Sequence, residues 1–127
     1  GKAGNTLLST IHADDLDETH RQIVTENAVP VEQFRAINLI IHVCLEGGNP
    51  EGRVRDKTTR RIIPKIYYSD GTAEHRLIYE DQQGLSADAP RDPVREAHCR
   101  AFLEEALKGN ERRLGEVRQR FLQWNKV

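Results

Sequence analysis

The stretch of residues 5–15 constrains the fold more than any other part of the chain. Residues 6–11 are apolar, β-branched or small and carry no charge, which predicts a strand buried on both faces, as in parallel sheets flanked by helices. His12 follows this run directly. Asp15 and Glu18 then have the spacing of a capping box, so a helix is expected to begin just after Asp15.

His12 is therefore expected where a buried strand gives way to a helix, which is where ligands bind in open α/β sheets. A histidine there is either a hydrogen-bonded structural residue or a functional group. Its neighbour Thr10 lies toward the free amides of the next helix, which favours a phosphate, although Asp14 and Asp15 bring negative charge to the same place. A metal site that uses His12, both aspartates and His20 has suitable ligand types and is a third interpretation.

The composition limits the classes of function. The 127 residues suffice for one domain, or one small domain with an appended piece. A net charge of -1 argues against a general nucleic-acid binder, which would carry a basic excess, and no specific nucleic acid is expected as a partner. Cys44 and Cys99 are far apart and lack metal-ligand spacing, so they are interpreted as reduced thiols of a cytoplasmic protein.

The middle of the chain predicts further strands. Residues 39–45 give the strongest strand signal and are too apolar to form the edge of a sheet. Residues 58–69 and 74–79 flank an Asp-Gly turn and predict an antiparallel hairpin at the periphery. Pro64 cannot donate a ladder hydrogen bond, so it is expected at an edge or a bulge.

The sequence predicts helices in the C-terminal part of the chain. We expect a core over residues 1–83, a linker over residues 84–92 and a helical tail over residues 93–127. Asp92 followed by proline predicts the start of a helix that Gly109 ends. A last helix is expected to bury its apolar positions, which are Leu114, Val117, Phe121 and Trp124.

Basic residues are concentrated in two settings. The densest basic run lies within residues 53–65, where a charged hairpin edge that blocks strand addition is one explanation and contact with phosphate or an acidic partner is another. Arg21 and Arg35 instead lie on well-specified elements next to the core strands, and arginine is suited to reach a γ-phosphate across an interface. No Gly-x-x-x-x-Gly-Lys-Ser/Thr motif occurs, so the chain has no phosphate cradle of its own.

A family resemblance begins in the first residues. Residues 1–14 resemble the histidine box of the type II/type IV secretion ATPases, which power secretion, pilus assembly and retraction, conjugation and archaeal flagella. The family pattern is Gly-His-x-Gly, an apolar strand and Ser/Thr-Thr-x-His-Ala/Thr-Asn/Asp. Here Lys2 replaces the histidine and Asp14 the more frequent asparagine. Residues 29–43 are similar to the family's next helix and strand, and residues 60–66 to its Arg-Arg-x-x-x-x-Ile hairpin.

The resemblance implies an α/β fold: the C-terminal part of a RecA-like P-loop ATPase core, with parallel strands, a peripheral antiparallel hairpin and a helical tail. His12 would then lie near the γ-phosphate and the attacking water, and Thr10 would orient it. Arg21 and Arg35 would contact the nucleotide or a neighbouring subunit.

The same resemblance implies the cofactors and partners. The full-length protein would use ATP and Mg²⁺, with the Walker A and Walker B segments upstream of this chain, and would assemble into a hexamer. It would act in the cytoplasm, at the inner face of the membrane, on a membrane-embedded secretion or pilus platform protein. The chain alone is expected to be inactive.

Two other functions stay open on the sequence. One is a stand-alone protein-interaction module that retains the fold without ATPase activity. The other is a metal-dependent hydrolase built on His12, Asp14 and His20.

Overall fold

A computed structural model describes residues 7–47, 59–110 and 113–124. The chain is a mixed α/β protein that divides into two units, Gly1–Ala89 and Pro90–Val127. The elements of the first unit are α1 (Leu16–His20), a π-helical continuation (Arg21–Glu26), α2 (Val31–Arg35), β1 (Leu39–Ile41), β2 (Cys44–Glu46), β3 (Arg60–Ile62), β4 (Lys65–Tyr68), β5 (Arg76–Glu80) and β6 (Gly84–Leu85). Those of the second unit are α3 (Pro93–Lys108) and α4 (Leu114–Trp124).

Helix α1 begins where the spacing of its cap predicts. The Asp15 carboxylate accepts a hydrogen bond from the Glu18 amide at 2.7 Å, and the buried Thr19 hydroxyl donates to the Asp15 carbonyl at 2.8 Å. The π-helical continuation ends where the Asn27 side chain donates to the Gln22 carbonyl at 2.7 Å. The predicted helix start is therefore confirmed, and its cause is local capping.

The strands form two antiparallel sheets, one in the order β1-β4-β5-β6 and one that pairs β2 with β3. Ile41 is paired with Ile66 and Cys44 with Ile62, so the strand that carries Pro64 has one residue more between these pairs. Pro64 lies at this interruption, and its carbonyl accepts from the Asp81 amide at 2.8 Å. The expectation of a bulge at Pro64 is confirmed, because proline has no N–H to give to the ladder.

Three expectations about the sheet are wrong. Every strand pairing in residues 7–47 and 59–110 is antiparallel, so no parallel core is present in this part of the chain. The β4-β5 hairpin lies in the middle of its sheet, and the apolar β1 lies at the edge with Leu39 51% exposed. Apolar content indicates that a strand can be buried, but the order of strands depends on which neighbours the chain connects to it.

The expected buried strand over residues 6–11 is also not observed where the structure describes it. Residues 7–11 have no strand partner, and Leu7 and Leu8 are 88% and 93% exposed. A strand buried on both faces needs neighbours at both edges and helices on both sides, and the described residues supply neither to this segment.

Phe34 is the centre of a small core in the first unit. It is 4% exposed, and the rings of His20 and His75 lie 5.0 and 4.8 Å from its ring centroid. His75 Nε2 donates to the Ile37 carbonyl at 2.7 Å, which fixes the ring against α2. Ile78 on β5 is also buried. Phe34, which lies on α2, therefore connects α1 to the segment that leads into β5.

The second unit is a pair of helices. The Asp92 carboxylate caps α3 by accepting from the Arg95 amide at 3.0 Å, and Gly109 follows the last turn, as predicted. Phe102 and Trp124 pack with ring centroids 5.1 Å apart. However, Leu114 is 86% exposed, so the expectation that α4 buries all its apolar positions is wrong. Two helices bury only the stripes that face each other.

No helix in residues 7–47, 59–110 or 113–124 combines the length and apolarity that crossing a membrane requires.

We predict that Phe34→Ala lowers the free energy of unfolding by about 3 kcal/mol, because it removes a buried ring and leaves a cavity. Chemical denaturation followed by circular dichroism measures this change. Leu45→Ala is the control, since Leu45 is 64% exposed and its loss should change stability by less than about 0.5 kcal/mol. Equal losses in the two variants would show that Phe34 is not the centre of the core.

Candidate functional site

The candidate site is the His12 turn, which we define as residues 12–15, between the extended segment and α1. The Gln22 side chain donates to the His12 carbonyl at 2.8 Å, and the Asp14 amide donates to Glu18 Oε2 at 2.9 Å. Gln22 also donates to Glu18 Oε1 at 3.1 Å, so one network holds both ends of the turn. The His12 side chain is exposed. The backbone of His12 is thus fixed to the helix while its imidazole remains accessible.

Glu18 is the acceptor on which this network depends. The hydrogen bond from the Asp14 amide, followed by that from the Gln22 side chain, lowers the pKa of the Glu18 carboxyl, and Arg21 contributes in the same direction. Each of these contacts favours the ionised carboxylate, because the charged form accepts hydrogen bonds more strongly. The ionised Glu18 carboxylate therefore strengthens the hydrogen bond from the Asp14 amide, which is one of the contacts that hold the His12 turn.

Thr10, Arg21 and Arg35 are the other residues that the sequence analysis assigned to the site. Thr10 is exposed on the extended segment. Arg21 pairs with Glu18 at 3.4 Å and with Glu26, all within the first helical segment. No hydrogen bond or ion pair joins His12 to Thr10 or to either arginine in the part of the chain that the structure describes.

Arg35 lies elsewhere in the first unit. Its guanidinium pairs with Glu74 at 3.3 Å and so connects α2 to the turn between β4 and β5. Glu74 is 87% exposed, so this ion pair contributes little to stability.

The described residues do not assemble the ligand set that the metal interpretation requires. No group of three histidine, cysteine, aspartate or glutamate side chains comes together to hold a metal ion within residues 7–47, 59–110 and 113–124. His20 packs edge-on against Phe34 instead of approaching His12 and Asp14. A histidine a turn and a half into the helix lies on the core side, which the ligand types alone did not reveal.

The structure also exposes an apolar edge that the sequence analysis missed. Among residues 7–47, 59–110 and 113–124, β1 pairs only with β4 and β2 only with β3, so no strand in these ranges pairs with the other side of residues 39–46. We call this the open edge; its exposed apolar side chains are Leu39, Ile41, Val43 and Leu45. The sequence signal for this edge is the apolar run of residues 39–45, which predicts burial but does not say what covers the strand. An open apolar edge is a surface to which another strand can add.

The basic run is partly explained by ion pairs within the sheet. Arg60 pairs with Glu46 on the facing strand, and Lys65 pairs with Glu80 at 3.8 Å. Arg53, Arg55 and Lys57 lie outside the described residues. The described part of the run therefore contains cross-strand pairs, which agrees with a charged hairpin rather than a phosphate site.

Comparisons of the chain with protein-family models, with curated proteins and with solved structures found no match. The resemblance to the secretion ATPases is therefore a hypothesis that depends on the histidine box and the segments that follow it.

We predict that the His12 turn loosens as the pH falls and Glu18 takes up a proton. Because the folded-state pKa of Glu18 is lowered, its stabilising contribution is present above the ordinary glutamate pKa of about 4.3 and is lost as the pH falls through the lower folded value. NMR titration should give a midpoint for the Glu18 carboxyl below that ordinary value, with the Asp14 amide shifting at the same midpoint.

Glu18→Gln is the control for this titration, since it removes the proton-binding group but leaves an acceptor oxygen for the Asp14 amide. In this variant the Asp14 amide should lose the part of its shift that follows the Glu18 midpoint. An ordinary Glu18 midpoint, or an Asp14 amide whose shifts are the same in the variant and the parent, would contradict the network.

Proposed function

We propose that this chain is the C-terminal portion of a motor ATPase of the secretion and pilus type, and that it contributes His12 to ATP hydrolysis by the longer protein. The observation that carries the proposal is the accessible imidazole of His12 on a turn whose backbone is held by Gln22 and Glu18. The fixed backbone sets where the imidazole begins, and its exposure leaves it accessible to a ligand that would hold the ring in one orientation. The resemblance to the histidine box implies that this ligand is ATP.

The nucleotide would be held mainly by residues outside this chain. The sequence contains no Walker A motif, so ATP and Mg²⁺ would be bound by the P-loop and the Walker B segment of the longer protein. His12 would face the γ-phosphate and orient the attacking water, and Thr10 would position His12. The active assembly would be a cytoplasmic hexamer at the inner face of the membrane, which passes its motion to a membrane-embedded platform protein.

Arg21 and Arg35 are suited to contacts in which another anion replaces the glutamate that each now pairs with. Arg21 and Arg35 are held by Glu18 and Glu74, and both ion pairs are at least partly solvent-exposed. A phosphate accepts the same forked hydrogen bonds as a carboxylate, with more charge. In the proposed assembly, a nucleotide or an acidic group of the next subunit would take the place of these glutamates.

The open edge is compatible with a sheet that continues. Leu39 and Ile41 on β1 are half exposed, and the outer side of β1 has no partner among the described residues. In a RecA-like core, strands of the longer protein would cover such an edge. The same edge also favours a second candidate, a stand-alone interaction module that binds a partner strand there and has no ATPase activity.

The test of the proposal is His12→Ala in the longer protein. It should still bind ATP but hydrolyse it about 100-fold more slowly, because a group that orients the attacking water is lost. ATP turnover and equilibrium binding of a fluorescent ATP analogue measure the two effects separately. His42→Ala is the matched control, since the His42 ring packs against Tyr67 and is not part of the His12 turn, so turnover should be unchanged.

Two outcomes would contradict the proposal. Unchanged turnover in His12→Ala would remove this residue from the reaction. A protein without a P-loop and an acidic Walker B strand upstream of this segment would favour the interaction module, whose binding should depend on Ile41 at the open edge and not on His12.

A further inference from the structure

Gln22 contacts the backbone of His12 through a side chain whose donors are all in use. A side-chain amide has two N–H hydrogens. Here Gln22 Nε2 donates to the His12 carbonyl at 2.8 Å and to Glu18 Oε1 at 3.1 Å. Gln22 is half-buried in the π-helical continuation, about one turn after Glu18. It therefore links the residue at the start of the His12 turn to the first helix.

The chemistry of the two partners determines which end of the Gln22 amide faces them. The His12 carbonyl only accepts hydrogen bonds, and so does Glu18 in its ionised form, which the hydrogen bond from the Asp14 amide favours. A reversed amide would place Gln22 Oε1 against two acceptors, and both hydrogen bonds would be lost. The contact therefore requires N–H donors, and an apolar side chain of the same size cannot replace it.

Two successive peptide groups of the turn are held by these contacts. Gln22 holds the carbonyl of the peptide between His12 and Ala13, and Glu18 holds the N–H of the peptide between Ala13 and Asp14. Each peptide group is planar, so the two contacts together set the direction in which the chain approaches α1. The first of these planes contains the Cα atom of His12, which carries the imidazole.

We propose that Gln22 is the positioning residue of His12, because its two N–H donors hold the backbone from which the imidazole reaches the γ-phosphate and the attacking water. This inference rests on the proposed ATPase function. Gln22 donates to His12 and Glu18 and acts on the reaction through His12. Its loss should therefore slow hydrolysis when His12 is present and have no effect when His12 is absent.

The first test needs no nucleotide and uses the 127-residue chain. Gln22→Met keeps the length of the side chain but removes both donors. The order parameter of the Ala13 amide, measured by NMR relaxation, should fall from about 0.85 toward about 0.6, because its peptide loses the contact with the helix. Gln22→Lys should keep this amide ordered, since an ammonium group can donate to both oxygens.

Gln33→Met is the matched control for this measurement. Gln33 is exposed on α2 in the same unit, and its side chain forms no hydrogen bond with the His12 turn among the described residues. The Ala13 amide should have the same order parameter in this variant as in the parent chain.

The second test measures ATP turnover at saturating ATP in the longer protein. Gln22→Met should lower turnover about tenfold, and Gln22→Lys should restore most of it. His12→Ala should lower turnover about 100-fold, and adding Gln22→Met to it should cause no further loss. A merely structural role of Gln22 would instead lower turnover by the same factor with and without His12. Gln33→Met should leave turnover unchanged.

The results separate this inference from the proposed function. Unchanged turnover in His12→Ala overturns the proposed function, and the positioning role with it. Slow turnover in His12→Ala together with normal turnover in Gln22→Met overturns the positioning role alone.

Two further results would also overturn the positioning role alone. One is a double variant about tenfold slower than His12→Ala, which would be the additive outcome. The other is an Ala13 amide that is as ordered in Gln22→Met as in the parent chain. If circular dichroism shows that Gln22→Met does not fold, Gln22→Glu decides the matter. Its side chain has nearly the same shape, and its ionised carboxylate has no donor, so it should slow turnover in the same way.

Discussion

The first unit depends on the contacts of one phenylalanine ring. Phe34 is among the few side chains that are nearly fully buried, and it lies between His20 from α1 and His75 near β5. The hydrogen bond from His75 to the Ile37 carbonyl also fixes the His75 ring to the backbone just after α2. Because few apolar side chains are buried among the residues that the structure describes, we expect this contact to have a large share of the stability of the unit. It also fixes the helix that carries Glu18 and Gln22, and through them the His12 turn.

Features decided by neighbours a few residues apart could be predicted from the sequence. The capping of α1 by Asp15, the cap of α3 by Asp92 and the bulge at Pro64 each follow from the chemistry of one side chain and its nearest backbone groups. The Asp70-Gly71 turn is of the same kind: its Asp70 carboxylate accepts from the amides of the next residues, which lowers the pKa of Asp70. Such interactions form without knowledge of the rest of the fold.

Features decided by distant partners could not be predicted. The same apolar run at residues 39–45 suits a central strand or an edge strand, and only the pairing of β4 with β5 decides which. Leu8 has the side chain of a core residue but remains exposed because no described strand pairs with its segment. At the site, His12 was found from its position between two local patterns. Its link to Gln22 was missed, although Gln22 lies one turn after Glu18 on the same helix face.

The interruption at Pro64 has a consequence for how the strands can pair. On either side of it the ladder joins Ile41 to Ile66 and Cys44 to Ile62. A slip by one residue would carry the proline into a ladder position where a carbonyl of the opposite strand needs a donor, and would also turn each side chain to the other side of the sheet. Pro64 thus fixes the register of the strands on either side of it. The strands therefore favour one alignment with each other, although the open edge is apolar.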